Sequence, residues 1–159
     1  MALHPAMSTV FTKLNLKDEE EIVVLNSPPS FEVELGRLDG VRVLRRTAEA
    51  RKVRFALAFA TTQKELDAAA KGLAARADGD IKLWFAYPKQ SSKRYTCEFN
   101  RDTGWAALGT AGYEPVRMVA IDEDWSALRF RRAEFIASMK RDPKHALSAE
   151  GKKRAGRKG

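Results

Sequence analysis

Val53-Arg54-Phe55-Ala56-Leu57-Ala58-Phe59-Ala60 runs into Thr61-Thr62-Gln63-Lys64-Glu65, and beyond Asp78-Gly79 comes Ile81-Lys82-Leu83-Trp84-Phe85-Ala86-Tyr87-Pro88. The two outer runs are apolar at nearly every position instead of alternating, the pattern of strands covered on both faces. Between them, Thr62 and Glu65 have the spacing of a capping box, in which each side chain satisfies a backbone N–H of the first helical turn. Leu66, Ala70, Leu73 and Ala77 then recur at helical intervals, and Asp78-Gly79 is expected to end that helix. Strand, capped helix, strand, with both strands buried, predicts a parallel pair joined by a crossover helix.

Upstream, Glu21 to Leu25 reads as a further short strand, stopped by Asn26-Ser27-Pro28-Pro29. A proline costs no hydrogen bond in a first helical turn, so Ser27 or Ser30 opens a helix with the stripe Phe31, Leu35, Leu38, ending at Asp39-Gly40. Val41 to Leu44 gives a peripheral strand. The link from Arg46 to Lys52 is short for a parallel crossover, so either it runs extended across the sheet or the strands at 41–45 and 53–60 pair antiparallel; the extended link is favoured because the later strand reads as too buried for an edge. Downstream, a polar loop from Lys89 to Arg101 precedes a short helix around Thr103 to Ala111, with Trp105 and Leu108 inward and Gly112 as its stop. Val116 to Ile121 and Trp125 to Arg131 flank Asp122-Glu123-Asp124 as a hairpin, and Ala133 to Lys140 reads as a last helix.

The expected fold class is therefore α/β. It is three-layer and Rossmann-like, with a mainly parallel sheet of about six strands and a C-terminal antiparallel hairpin. Residues 1–20 read as an N-terminal leader, partly mobile, whose Val10, Phe11, Leu14 and Leu16 could pack on the domain edge. Residues 21–140 read as a single α/β domain and 141–159 as a basic mobile tail.

Composition narrows the function. The chain has 159 residues, 44% apolar and 31% charged, too apolar for wholesale disorder. No run approaches the length of a membrane-spanning helix, and no secretory signal pattern opens the chain, so a cytoplasmic protein is expected. The single cysteine, Cys97, forms no internal disulfide. Of the net charge of +8, the segment from Lys140 to Gly159 supplies +6, which suits weak, salt-sensitive, non-specific contact with nucleic acid. His4 and His145 are the only histidines, so the body of the chain has no Ser-His-Asp or Cys-His nucleophile system and no histidine-based metal site. The acidic trio reads as a charged turn pairing with Arg101, Arg117 or Arg129 more than as a Mg²⁺ site, and no metal is expected. No glycine-rich phosphate loop follows the first strand, and no cofactor is expected.

Doubly wound sheets bind ligands beyond the carboxyl ends of their strands. Here those ends are polar: Asn26 and Ser27, Thr61 and Thr62, Lys89 to Arg94 after Tyr87, and Asp122 with Asp124. Lys89, Lys93 and Arg94 with Ser91 and Ser92 combine cations, a guanidinium fork and hydroxyls, a fair composition for a phosphate or carboxylate. Trp84, Trp105 and Trp125 read as packing rather than as a stacking platform.

The segments LWFAYPK (Leu83 to Lys89), NRDTGW (Asn100 to Trp105) and EPVRMVAIDEDWSALRFR (Glu114 to Arg131) resemble a family of small bacterial proteins carrying a domain of unknown function. The resemblance covers roughly Phe11 to Arg141 and implies no particular activity. More loosely, residues 53–131 are similar in element order to the C-terminal half of Rossmann-like methyltransferases. The N-terminal half departs from that pattern: it is short, lacks the glycine loop, and has no acid ending its second strand to hold a ribose.

The leading expectation is a non-enzymatic module that binds an anionic small molecule, or a partner's acidic surface, at the strand-end rim. One alternative is a nucleic-acid-associated protein acting through residues 140–159. The other is a diverged transferase lacking the usual S-adenosylmethionine glycine loop, with Lys89 as base, Tyr87 or Tyr95 as proton donor and Asp122 or Asp124 as acceptor. Oligomeric state is open.

Overall fold

The structure is a computed structural model that describes residues 9–136. Its elements are α1 (Thr9–Lys13), β1 (Glu21–Leu25), α2 (Pro29–Gly36), β2 (Arg42–Leu44), β3 (Val53–Phe59), α3 (Gln63–Arg76), β4 (Ala77–Pro88), α4 (Ala106–Thr110), β5 (Tyr113–Ala120) and β6 (Trp125–Arg132). The six strands form one sheet in the order β2-β1-β3-β4-β6-β5. β2, β1, β3 and β4 run parallel; β6 is antiparallel to β4, and β5 to β6. The chain has the expected Rossmann-like arrangement, mainly parallel with an antiparallel hairpin closing one side.

The doubly apolar strands follow from two covers. On one face, Ala56, Ala58, Leu83, Phe85 and Tyr87 pack with Leu66, Ala70 and Leu73 of α3 and with Trp105 and Leu108. On the other, Phe55, Leu57, Phe59 and Trp84 meet Phe31 and Leu35 of α2 and Phe11 and Leu14 around α1. Each such Leu or Phe contributes about 1.5–3 kcal/mol on leaving water. The capping box forms: Glu65 N–H donates to Thr62 Oγ1 at 3.1 Å, and Thr62 N–H to Glu65 Oε1 at 3.3 Å.

Several boundaries differ from the sequence reading. Val10 and Phe11 of α1, with Leu14 and Leu16 just beyond it, are buried in the core. Trp84 Nε1 fastens this segment by donating to Leu14 O at 2.9 Å. α3 ends at Arg76 and the chain passes directly into β4, so Asp78-Gly79 lies within the strand. Gly79, at φ +61, allows β4 to accommodate extra residues where Val53 pairs with Ala77 but Phe55 with Lys82. The link from β2 to β3 crosses behind β1 and carries a 3-10 turn at Thr47–Glu49, with Ala50 buried and its carbonyl accepting from Arg76 Nη1 at 2.6 Å. Ala133–Phe135 is a 3-10 turn that ends at extended Ile136, and residues 137–140 of the expected last helix lie outside the described residues. β5 is the outer strand, with Pro115 in it and a register irregularity between Pro115 and Arg117. Among the described residues no helix is long and apolar enough to cross a membrane.

Candidate functional site

Parallel β1, β3 and β4 bring Asn26, Thr61 and Lys89 to one edge of the sheet. The start of antiparallel β6 joins them, since Trp125 pairs with Pro88 and Lys89 N–H donates to Asp124 O at 2.8 Å. All four polar strand ends share this edge, yet they are used in two different ways.

At the β1–β2 corner the polar groups satisfy one another. Asn26, at φ +57, donates from Nδ2 to Phe59 O at 3.3 Å and so straps β1 to β3. Ser27 Oγ donates to Glu32 Oε2 at 2.5 Å. Arg45, just past β2, donates to Glu32 through Nη1 at 2.9 Å and Nη2 at 2.7 Å, and to Ser27 Oγ at 3.3 Å. The Arg45 hydrogen bonds, followed by that from Ser27, hold the Glu32 carboxyl well down, at about 2. Thr61 and Thr62 are spent on α3: Thr61 N–H donates to Glu65 Oε1 at 2.9 Å, and Glu98 Oε1 accepts from Gln63 N–H at 2.8 Å.

Beyond β4 the edge opens into a cleft of about 800 Å³. Tyr87, Lys89, Ser91, Cys97, Arg101 and Met118 are among its lining residues. Its aromatic floor is fixed: Tyr87 lies 5.7 Å from Trp105 and 6.2 Å from Phe99 between ring centroids, and its hydroxyl donates to Met118 Sδ at 3.3 Å. Trp105 Nε1 donates to the carbonyls of Asn100 at 2.9 Å and Arg101 at 3.1 Å, which holds the far wall. Gly104, at φ +96, permits this approach; a Cβ there would stand 2.5 Å from Phe99 Cβ.

Of the five anion candidates, Lys89, Ser91 and Ser92 line the cleft, whereas Lys93 and Arg94 are exposed outside its lining. Ser92 Oγ donates to Asp124 Oδ1 at 2.9 Å and accepts from the N–H groups of Arg94 and Tyr95, so it shapes the loop. Asn26, Ser27, Thr61 and Thr62 share the edge without lining the cleft. The acidic trio does not pair with Arg101, Arg117 or Arg129 among the described residues. Asp122 Oδ1 accepts from the N–H groups of Asp124 and Trp125, closing its own turn, and Asp124 lies 3.9 Å from Arg94. Phe99, Asp102 and Met118 enter the site without having been singled out, Cys97 was noted only as a thiol with no disulfide partner, and Arg101 was read only as an ion-pair partner. Met118 arrives from β5, and only the strand register reveals it.

Burial pushes up the pKa of both the Tyr87 phenol and the Cys97 thiol. At neutral pH the cleft therefore presents protonated O–H and S–H groups beside two cations, Lys89 and Arg101. Neither cationic side chain has a hydrogen-bond or ion-pair partner among the described residues. Such a cleft can seat an anionic group against an apolar body.

No family model and no curated protein matches the sequence. Solved structures do match in fold. An S-adenosylmethionine-dependent methyltransferase from Aquifex aeolicus superposes with TM-score 0.54 at 14% identity, over 78% of this chain and 88% of that one. The N-methyltransferase NodS from Bradyrhizobium japonicum WM9 gives 0.50 at 13%, over 78% and 93%. Magnesium protoporphyrin IX methyltransferase from Synechocystis PCC 6803, with bound S-adenosylhomocysteine, gives 0.50 at 12%, over 78% and 82%. These likenesses show a methyltransferase-like fold. They correct the expectation of a non-enzymatic module, because the sheet is shared with group-transferring enzymes and the diverged-transferase alternative agrees with them better.

The cofactor of those enzymes does not fit the residues present here. The crevice between β1 and β3, where the strand order switches, has no glycine to admit a ligand close to the backbone, and the Asn26 amide spans it to Phe59 O. Where an acid would accept ribose hydroxyls beyond the second strand, Arg45 stands locked onto Glu32.

Proposed function

We propose that this chain is a transferase of the methyltransferase-like fold that has abandoned the β1 corner and works in the cleft beyond β4, on a small molecule bearing an anionic group. The observation that supports this reading is the pair of unpartnered cations, Lys89 and Arg101, over a fixed aromatic floor at the carboxyl edge of the sheet. In this reading Lys89 and Arg101 hold the anionic group by charge-assisted hydrogen bonds and Ser91 orients it. Tyr87 and Phe99 pack against the remainder of the substrate, and the Tyr87 hydroxyl, fixed on Met118 Sδ, is a proton-bearing group within the cleft. The same reading keeps the chain within the family of small bacterial proteins that its LWFAYPK segment resembles.

The test is incubation of the full chain with a mixed small-molecule extract, followed over time by mass spectrometry. A transferase depletes a donor and an acceptor in equal amounts and generates two products, one lighter than the donor and the other heavier than the acceptor by the same group. A double variant Lys89→Ala, Arg101→Ala abolishes the change. Stoichiometric retention of one compound with no product formed would sink the transferase reading.

A further inference from the structure

On the face of the sheet opposite the cleft, Arg129 of β6 stands between Trp84 of β4 and Arg117 of β5 as direct cross-strand partners. Such partners share a face with Cβ atoms about 5 Å apart, and like charges so placed repel. The surrounding acids are committed elsewhere. Glu19 pairs with Lys82 at 2.7 Å, and Asp80 accepts from Arg131 Nε at 3.1 Å and Nη2 at 2.5 Å. Glu114, opposite Arg131 on β5, is buried with interactions of its own. Among the described residues neither Arg117 nor Arg129 has a carboxylate partner, and Arg129 Nε is buried with no acceptor at all.

A buried N–H without an acceptor is rare in folded proteins, and an ion that completes it is a standard explanation. Here two guanidiniums stand in register, so the ion that compensates both carries two negative charges and several acceptor oxygens. Guanidinium forks match the oxygens of such a group two at a time. We infer that Arg117 and Arg129 form a second, separate binding site for a phosphate group, free or esterified. Burial, with repulsion from Arg131 and Arg117 set against attraction from Asp80 and Glu19, lowers the Arg129 pKa. The site does not depend on the transferase reading, because the cleft residues Met118 and Ser126 lie on the other face of the same two strands.

The test is the melting temperature of the full chain in phosphate-free buffer, then with inorganic phosphate or a nucleoside monophosphate, each against chloride at matched ionic strength. Wild type is expected to melt several degrees higher with one or both phosphates. A larger response to inorganic phosphate indicates a free ion, and a larger response to the monophosphate an esterified one. Arg117→Ala, an exposed change that leaves the core intact, should lose most of the shift, while Lys89→Ala with Arg101→Ala should keep it. Arg129→Met, which retains the packing stem without the charge, should melt higher than wild type in phosphate-free buffer and respond to neither compound. The inference is overturned if chloride is as effective as phosphate, or if Arg117→Ala keeps the response. It is equally overturned if wild type fails to respond while Arg117→Ala melts lower without phosphate, since an acid of the chain itself would then already fill the site.

Discussion

The two ends of one sheet edge have been finished in opposite ways. Beyond β1 and β2, Asn26, Ser27, Glu32 and Arg45 have all been tied to protein partners. Beyond β4, Lys89 and Arg101 line a cleft whose floor is rigid, and their cationic groups have no partner among the described residues. A hydrogen bond already made within the protein is not offered to a ligand, and this contrast is what supports the proposed use of the cleft beyond β4. In the proposed reading, the ligand edge of the fold is kept and the place on it where a ligand sits has moved.

The comparison breaks most visibly if the cleft wall is loosened. Trp105→Ala removes a buried ring that packs on Phe85, Tyr87, Phe99 and Phe130. Urea unfolding should show a loss of about 3–5 kcal/mol; a loss below about 1 kcal/mol would mean that the wall is held by other contacts. At the closed corner, Asn26→Ala forfeits the bond to Phe59 O and forces a side chain into positive φ, so about 1–3 kcal/mol should be lost. Asn26→Gly keeps the turn and should cost less. Calorimetric titration of Asn26→Gly with S-adenosylhomocysteine should still give no saturable heat, because Arg45 and Glu32 remain; measurable binding would show that one amide alone closes the crevice.

Glu32→Gln should cost about 1 kcal/mol or less at pH 7, since its pair with Arg45 is partly exposed. The sign of its pH dependence is fixed: the carboxyl falls from an ordinary 4.5 to about 2 in the folded chain. Its stabilisation is complete above about pH 4.5 and is lost as pH drops towards 2, so wild type and Glu32→Gln should converge in melting temperature at the acid end. The smallest effect concerns Cys97, whose thiol is pushed up by burial. Near pH 7 it should react with a thiol reagent more slowly than free cysteine, and more slowly still once the cleft holds its ligand.

Much of the framework was legible because it depends on local pattern. The unbroken apolar runs at 53–60 and 81–87 announced strands covered on both sides, and Thr62 with Glu65 announced the helix between them. The convergence of Asn26, Thr61 and Lys89 followed from strand direction alone. The division of that edge was not legible, because it depends on which side chains find one another. That Glu32 would face Arg45, or that Ser92 would donate to Asp124, requires the placement of β2 beside β1 and of β6 beside β4. The same holds for Met118 in the cleft and for Arg117 beside Arg129, which only the hairpin register brings into place. Gly79 misled for a different reason: a glycine that ends a helix and one that relaxes a strand look alike in sequence.

The outer strand of the sheet carries one more consequence. Among the described residues β5 pairs with a strand on one side only, and an outer strand is the place on which fibrils and cross-β aggregates are templated. Pro115 removes one N–H from β5, the irregular register beside it bends the strand, and exposed Arg117 adds charge. The same arginine that awaits an anion thus also helps keep concentrated solutions of the chain from zipping together edge to edge.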